Sequence, residues 1–224
     1  MTDRRELAQL WPQFALQISV EGAHLEPPTD RQLEMLAKRA SRRDAVLPQS
    51  ELHFVKWLEG RTPSEIEQQR IHRVQSNRDL SVHRGWTLDL AVIVDDEPVG
   101  LQSLSGLEQW PQRRIVGTTS WLLAPFQRRG LGTRIRAAVL ELAFAHLSAE
   151  SAKTWALIEN GASNAVSTKL GYRQVDRDVI TENGRELVER VYQIDKGDWL
   201  QSAARHRYTS AISGAEPLVT LLSG

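Results

Sequence analysis

The chain of 224 residues contains no cysteine, which excludes disulfide bonds, thiolate metal ligands and a cysteine nucleophile. It also has no excess charge of either sign, because 28 Lys and Arg residues balance 28 Asp and Glu residues. Such a chain has no overall field that would recruit nucleic acid or an anionic membrane, so we expect neither as a partner. It lacks an apolar run long enough to cross a bilayer and an apolar signal core at its N-terminus. We therefore expect a cytoplasmic protein without a bound metal.

What is present is an ordinary globular composition, 41% hydrophobic and 25% charged, in a chain long enough to bury a sizeable core. Thr29 and Thr62 each begin a capping box and predict helices over about 29–43 and 62–77. Alternating or continuous apolar patterns predict strands over 14–20, 87–94, 99–107, 114–123, 153–159, 174–181 and 186–194. Two further helices are predicted, a long one ending near Leu147 and a short one over 163–170.

These elements predict one mixed α/β domain over residues 1–199, in which strands outnumber helices. Asn183 and Gly184 predict a tight hairpin between the last two strands, because both residues tolerate positive φ. Residues 200–224 form a C-terminal tail to which the sequence assigns no role.

The stretch QRRGLGT at 127–133 lies between a predicted strand and the long amphipathic helix. The first N–H groups of a helix have no internal partners, so a turn at this point can present them to an anion. Gly130 and Gly132 have no β-carbon and would let a phosphate approach the backbone closely. Two alternatives remain open: the glycines merely permit a turn, or the arginines bind nucleic acid. The stretch matches neither the P-loop nor the three-glycine dinucleotide fingerprint.

A second motif follows, NGASN at 160–164, in a segment that ends with LGY at 170–172. Together with Gln127, Gly130 and Gly132, this motif resembles the Gcn5-related N-acetyltransferase (GNAT) superfamily. Within it, the chain is most similar to the branch that includes the ribosomal-protein N-terminal acetyltransferases. The resemblance is dense over about 88–194.

The resemblance implies an acyl-CoA N-acyltransferase fold, with a mostly antiparallel, twisted sheet whose middle strands splay apart between flanking helices. It also implies acetyl-CoA as the cofactor, with its pyrophosphate on the glycine turn and its pantetheine arm along the preceding strand and the second motif. The implied cofactor-binding residues are Trp121, Leu122, Leu123, Gln127, Arg128, Arg129, Gly130, Leu131, Gly132, Thr133, Asn160, Ser163 and Asn164.

The implied reaction is direct attack of a primary amine on the acetyl thioester, which suits a chain without cysteine. Many relatives carry a tyrosine acid in the closing helix, at the position that Ser167 occupies here. The ribosomal branch points instead to Ser163, whose hydroxyl could equally cap the short helix. Tyr172 and Glu159 are further catalytic candidates, the second as a base at a strand end. Because the tyrosine is missing, a non-catalytic module that holds acyl-CoA is the alternative function.

The acceptor side is expected from residues 48–86, which match the family least and would cover the amine site. Phe54, Trp57 and Trp86 are candidates for its wall, with ordinary core packing as the alternative. His72 and Glu108 are weaker candidates for the base, and a water chain could also remove the proton. The acceptor is expected to be a peptide N-terminus or a small-molecule amine, and the resemblance also allows a homodimer.

Overall fold

The computed structural model describes residues 4–55, 57–80, 85–107, 110–182 and 184–223. The strands are β1 (Gln17–Val20), β2 (Ala23–Glu26), β3 (Thr87–Val94), β4 (Glu97–Leu107), β5 (Ile115–Leu122), β6 (Ser151–Leu157), β7 (Arg173–Glu182), β8 (Arg185–Asp195) and β9 (Ala211–Ser213). The α-helices are α1 (Arg4–Leu10), α2 (Asp30–Ala40), α3 (Pro63–Ser76), α4 (Leu131–Glu141), α5 (Gly161–Lys169), α6 (Lys196–Gln201), α7 (Ala203–Arg207) and α8 (Glu216–Ser223). Short 3₁₀ helices span Pro12–Ala15, Gln49–Phe54 and Ala124–Phe126, and a π-helical turn, Leu142–His146, extends α4.

The described strands form one nine-stranded sheet in the order β7-β8-β6-β5-β4-β3-β2-β1-β9. Neighbouring strands are antiparallel except β5 and β6, which are parallel. Their pairing covers only residues 115–117 and 151–153, and beyond it the two strands separate. At this fork, the hydroxyl of Thr154 donates a hydrogen bond to the carbonyl oxygen of Thr118 at 3.0 Å. The predicted mixed fold with splayed middle strands is confirmed.

Helices cover both faces of the sheet. Leu90 of β3 belongs to the core that α4 completes, whereas Leu101 of β4 packs with α2 and α3 on the opposite face. Both predicted capping boxes are present: the Thr29 and Thr62 hydroxyls each accept the N–H three residues later. Both helix starts are therefore fixed locally, and the loop that contains residues 41–62 connects α2 to α3.

Residues 200–223 are packed onto the sheet. Strand β9 pairs with β1, with Ile212 opposite Ile18, and thereby forms one edge of the sheet. The indole N–H of Trp110 donates to the carbonyl oxygen of Leu222 at 3.1 Å, which holds α8 against the core. The segment to which the sequence assigns no role thus contributes both a strand and buried side chains. The other edge is β7, where Val179 is exposed.

Candidate active site

A cleft of about 430 Å³ lies beside the fork between β5 and β6, with α4 and α5 as walls. Nine of the predicted cofactor residues line it: Trp121, Leu122, Gln127, Arg128, Gly130, Gly132, Thr133, Asn160 and Ser163. Its charged lining residues are Arg128, Arg136 and Lys169, and no carboxylate lines it among the described residues. The cleft is therefore suited to an anionic ligand.

The turn into α4 presents backbone N–H groups to this cleft. Gly130 is the N-cap residue, with φ 77°, and no side chain caps the helix. Arg128 also has a positive φ, 57°. In a turn that alternates left-handed and right-handed residues, successive N–H groups point toward one side. The amides of Leu131 and Gly132 lie in the first turn, where no intrahelical carbonyl can reach them. Free amides at the positive end of a helix form an anion site.

The other residues of the turn have different surroundings. The Gln127 amide donates to the carbonyl oxygens of Val46 at 2.6 Å and of Leu122 at 2.8 Å, so it ties the loop after α2 to the end of β5. Arg129 is exposed and is not a lining residue, while the side chain of Leu131 is buried in the core. In this turn, the backbone N–H groups and Arg128 are thus the groups available to an anion.

The free edge of β5 determines which backbone groups face the fork. Strand residues direct their N–H and C=O groups alternately to the two neighbouring strands. Since the carbonyl of Thr118 faces β6, those of Ser120 and Leu122 face the same side. The N–H of Leu123 is already bonded to the Val99 carbonyl at 2.8 Å, and Trp121 contributes its side chain to the cleft. The backbone groups of Ser120 therefore face the fork, whereas the N–H of Leu123 is directed to β4.

The second motif forms the start of α5. The side-chain oxygen of Asn160 accepts the N–H of Ser163 at 3.1 Å and caps the helix, so the cap does not come from the Ser163 hydroxyl. Ser163 is half-buried and lines the cleft. Asn164 is buried, and its amide donates to three backbone carbonyls while its oxygen accepts the Tyr192 hydroxyl at 2.8 Å. Its polar groups are satisfied inside the protein.

The two roles of Asn160 can be separated by substitution. Asn160→Ala removes the cap and should cost about 1 kcal/mol of stability, and it also removes an amide that faces the cleft. Asn160→Asp keeps a capping oxygen but places a negative charge beside an anion site. We expect both variants to bind coenzyme A more weakly, with only the alanine variant losing stability. Thermal unfolding and calorimetric titration measure the two effects; a stability loss in Asn160→Ala with unchanged affinity would assign the residue to capping alone.

Tyr172 lies behind the cleft and not in its lining. Its side chain is 6% exposed, and its hydroxyl lies 3.3 Å from the Thr118 hydroxyl. Burial raises the pKa of Tyr172, so the phenol is neutral and its proton is held firmly. The residue belongs to the core that anchors α5 to β5.

The candidate bases lie outside the cleft or outside the described residues. Glu159 is exposed in the turn between β6 and α5, and His72 is exposed on α3. Neither belongs to the lining of the cleft. Glu108 lies outside the described residues. Among the described lining residues, no carboxylate or imidazole is in position to take a proton.

The acceptor-side candidates separate into two groups. Trp57 packs on Trp121, with ring centroids 5.0 Å apart, next to Val55, which lines the cleft. Phe54 is half-buried, and its ring packs against His53 at a tilt of 60°. Trp86 is instead a core residue, 2% exposed, and does not line the cleft. Trp57 is therefore the candidate that reaches the cleft, through Trp121.

A buried cation lies on the far side of Trp57. The Arg70 guanidinium lies 4.5 Å from the centroid of the Trp57 ring, and the residue is 5% exposed. Its Nε is buried without a hydrogen-bond partner, and no ion pair with Arg70 occurs among the described residues. Burial lowers the pKa of Arg70 to about 10; repulsion by Arg73 and Arg61 adds to the effect, and attraction to Asp89 opposes it. A buried positive charge that forms no ion pair among the described residues therefore lies against Trp57.

Arg136 is a cleft residue that the sequence analysis missed. It lies four residues after Gly132 on α4, and both residues line the cleft. The available signal was a charged residue within the apolar pattern that marks the buried side of this helix.

Comparison with known proteins agrees with this geometry. A family model described as an acetyltransferase (GNAT) domain matches residues 24–173. The chain therefore belongs to the GNAT family, and it is an acetyl-CoA-dependent acetyltransferase. The predicted superfamily, cofactor and enzyme class are confirmed.

Solved structures share the fold. A GCN5-related N-acetyltransferase from Brucella melitensis superposes with a TM-score of 0.70 at 18% identity, covering 86% of this chain and 83% of its own. Mycobacterium smegmatis RimJ, in complex with CoA-disulfide, gives 0.67 at 17% identity, with coverage of 85% and 90%. The ribosomal-protein-S5-alanine acetyltransferase from Vibrio fischeri gives 0.61 at 16% identity, with coverage of 81% and 97%. Among the described residues, no helix has the length and apolar character needed to cross a membrane.

Proposed function

We propose that this protein transfers the acetyl group of acetyl-CoA directly to the primary amine of a peptide N-terminus or a small molecule. The observation that supports this most is the cleft at the fork of β5 and β6, which joins an amide-rich anion site to a free strand edge. A ligand with an anionic end and an extended amide-bearing arm fits such a site.

The chain's residues fit the cofactor in three places. The amides of Leu131 and Gly132, with Arg128, would hold the pyrophosphate. The strand edge at Ser120, with the N–H of Leu122, would pair with the pantetheine amides, since the Leu122 carbonyl already accepts the Gln127 amide. When bound, acetyl-CoA supplies the activated acetyl carbonyl, and the chain's contribution is to align that group with the amine and exclude water.

Ser163 is the proposed polar contact near the reacting end of the cleft, because it lines the cleft and does not serve as the helix cap. Glu159 and Tyr172 are weaker proposals, since the first is exposed and the second is buried behind the lining. With no carboxylate or imidazole among the described lining residues, we propose that water carries the proton away from the amine.

The acceptor is proposed to approach from the side of Trp57 and Trp121, opposite the helix α4 face of the sheet. Val46, Leu47 and Val55 line this part of the cleft and would contact an apolar portion of the acceptor. The Arg70 guanidinium lies against the Trp57 ring and forms no ion pair among the described residues, so it would favour acceptors that also carry an anionic group.

A panel of amines tests the proposal through steady-state release of free coenzyme A thiol. The panel should pair each amino acid and peptide with its C-terminal amide, and add polyamines and an amino sugar. We expect thiol release above the hydrolytic background for at least one primary amine, and none for its N-methylated tertiary analogue. Tight acetyl-CoA binding without turnover on any amine would contradict the proposed reaction.

A further inference from the structure

Arg136 is a charged side chain on the buried face of α4. It is 4% exposed, between Ile135 and Ala137, which are fully buried. Its Nη1 donates to the Ser167 hydroxyl at 3.2 Å and its Nη2 to the Ser120 hydroxyl at 3.4 Å, while its Nε is buried without a partner. The guanidinium is thus held by two neutral hydroxyls, and no carboxylate pairs with it among the described residues.

A buried guanidinium without a counterion is costly to keep. Removing a charge from water costs several kcal/mol unless an opposite charge and good hydrogen bonds compensate. Burial accordingly lowers the pKa of Arg136, although an arginine stays protonated at neutral pH. The buried guanidinium of Arg136 is explained if an anion pairs with it while the protein carries out its function.

The position of Arg136 indicates which anion this is. Arg136 lines the cleft one helical turn beyond Gly132, so it lies past the pyrophosphate turn, toward the fork. Its two hydroxyl partners come from β5 and α5, the walls of the cleft. One of them, Ser167, stands where the family resemblance implies a tyrosine acid. With acetyl-CoA held as proposed, the cation would lie in the region where negative charge develops on sulfur when the thioester breaks.

We propose that Arg136 stabilises the coenzyme A thiolate as it leaves, in place of a proton-donating acid. This inference rests on the proposed function. In the reaction, a bond forms between the amine nitrogen and the acetyl carbon, and the carbon–sulfur bond breaks. The electron pair of that bond remains on sulfur beside the guanidinium, and the proton of the amine passes to water. A preorganised cation in a site with little water stabilises such charge strongly.

The groups around Arg136 offer no other explanation for a change of ligand affinity with pH near neutrality. Arg128 and Lys169 also line the cleft and are cationic, and Tyr172 packs behind the guanidinium as a neutral phenol whose pKa is raised by burial. Thr118 and the two serine partners do not ionise. Among the described lining residues, no carboxylate or histidine would titrate near neutral pH. If affinity changes with pH for coenzyme A but not for an analogue without sulfur, the change therefore reports the ionisation of the thiol.

Equilibrium binding of coenzyme A across pH tests the proposal without catalysis. The probes are coenzyme A and desulfo-coenzyme A, titrated into the intact protein by calorimetry. A free thiol has a pKa of about 8.5, and each unit by which the site lowers it strengthens thiolate binding by a factor of about ten. We expect coenzyme A affinity to rise at least about tenfold in total between neutral and alkaline pH, and we expect desulfo-coenzyme A to lack this rise.

Two variants and a control complete the test. Arg136→Met keeps most of the side-chain volume and should abolish the rise with pH without lowering the melting temperature, because a buried unpaired charge is removed. Arg136→Lys keeps a cation and should retain part of the rise. Arg177→Gln removes the same charge from the exposed edge strand β7 and should behave as wild type.

Three results would overturn the inference. The first is an equal pH dependence for coenzyme A and desulfo-coenzyme A with wild-type protein, a comparison that does not depend on any variant folding. The second is an unchanged rise in Arg136→Met. The third is an equal loss of the rise in Arg177→Gln, which would assign the effect to overall charge and not to Arg136. Failure of coenzyme A to bind wild-type protein at any pH would instead contradict the proposed function.

Discussion

Gly132→Val is expected to weaken coenzyme A binding by more than about 100-fold while leaving the protein folded. A β-carbon at Gly132 meets only Val166, at 4.0 Å, and the residue does not have a positive φ, so the fold can accept the side chain. The valine would point into the cleft where the pyrophosphate must approach the amides. Loss of two charge-assisted hydrogen bonds, at about 1.5–3 kcal/mol each, gives an effect of this size.

The control for this prediction is Gly197→Val in α6. Its added β-carbon has no atom within 4 Å, and its φ is not positive either, so it introduces the same side chain outside the cleft. Calorimetric titration with coenzyme A should give wild-type affinity for Gly197→Val. Unchanged affinity in a folded Gly132→Val variant would contradict the whole model of the cofactor site. Gly130 is a poorer test position, because its φ of 77° strains any substituted side chain.

Asn164→Ala is expected to destabilise the protein by about 3 kcal/mol, although the residue belongs to a motif that the resemblance assigns to the cofactor. Its side chain joins the end of β6 to the start of α5 and also accepts the Tyr192 hydroxyl from β8. Truncation leaves these buried groups without a partner, at about 1–3 kcal/mol for each group that water cannot reach. For a chain of this length the melting temperature should fall by about 6–12 °C.

Thr168→Ala provides the comparison within the same helix. The Thr168 hydroxyl bonds to the Asn164 carbonyl at 3.1 Å, but the residue is exposed, so its loss should change stability by less than about 0.5 kcal/mol. Both variants are measured by thermal and urea unfolding without ligand. Wild-type stability in Asn164→Ala, together with lost coenzyme A binding, would contradict this structural role and make Asn164 a ligand contact.

The parts of the fold that short local patterns specify could be predicted from the sequence. The capping boxes at Thr29 and Thr62 position α2 and α3, and both are formed. Gly130 marks the turn because a left-handed residue is needed there. Strand β9 is only three residues long, so it carries too little periodicity to be recognised.

The roles of individual site residues depend on contacts that sequence spacing does not contain. Asn164 and Asn160 belong to one motif, yet Asn164 has a structural role because Tyr192, from a distant strand, donates a hydrogen bond to its buried side chain. Trp57 and Trp86 lie in the same sequence region, and only the first reaches the cleft wall, through Trp121. Arg136 lines the cleft because its guanidinium reaches Ser120 on β5 and Ser167 on α5, contacts that its position in the sequence does not contain.

The most direct test of the account is the fate of a labelled acetyl group. The protein is incubated with acetyl-CoA labelled in the acetyl carbons and the amine panel, and products and intact protein are analysed by mass spectrometry. We expect label on a primary amine nitrogen, one free thiol for each label transferred, and no label on the protein before amine is added. Label accumulating on Ser163 or another protein residue, or on an acceptor hydroxyl instead of an amine, would contradict direct transfer to an amine.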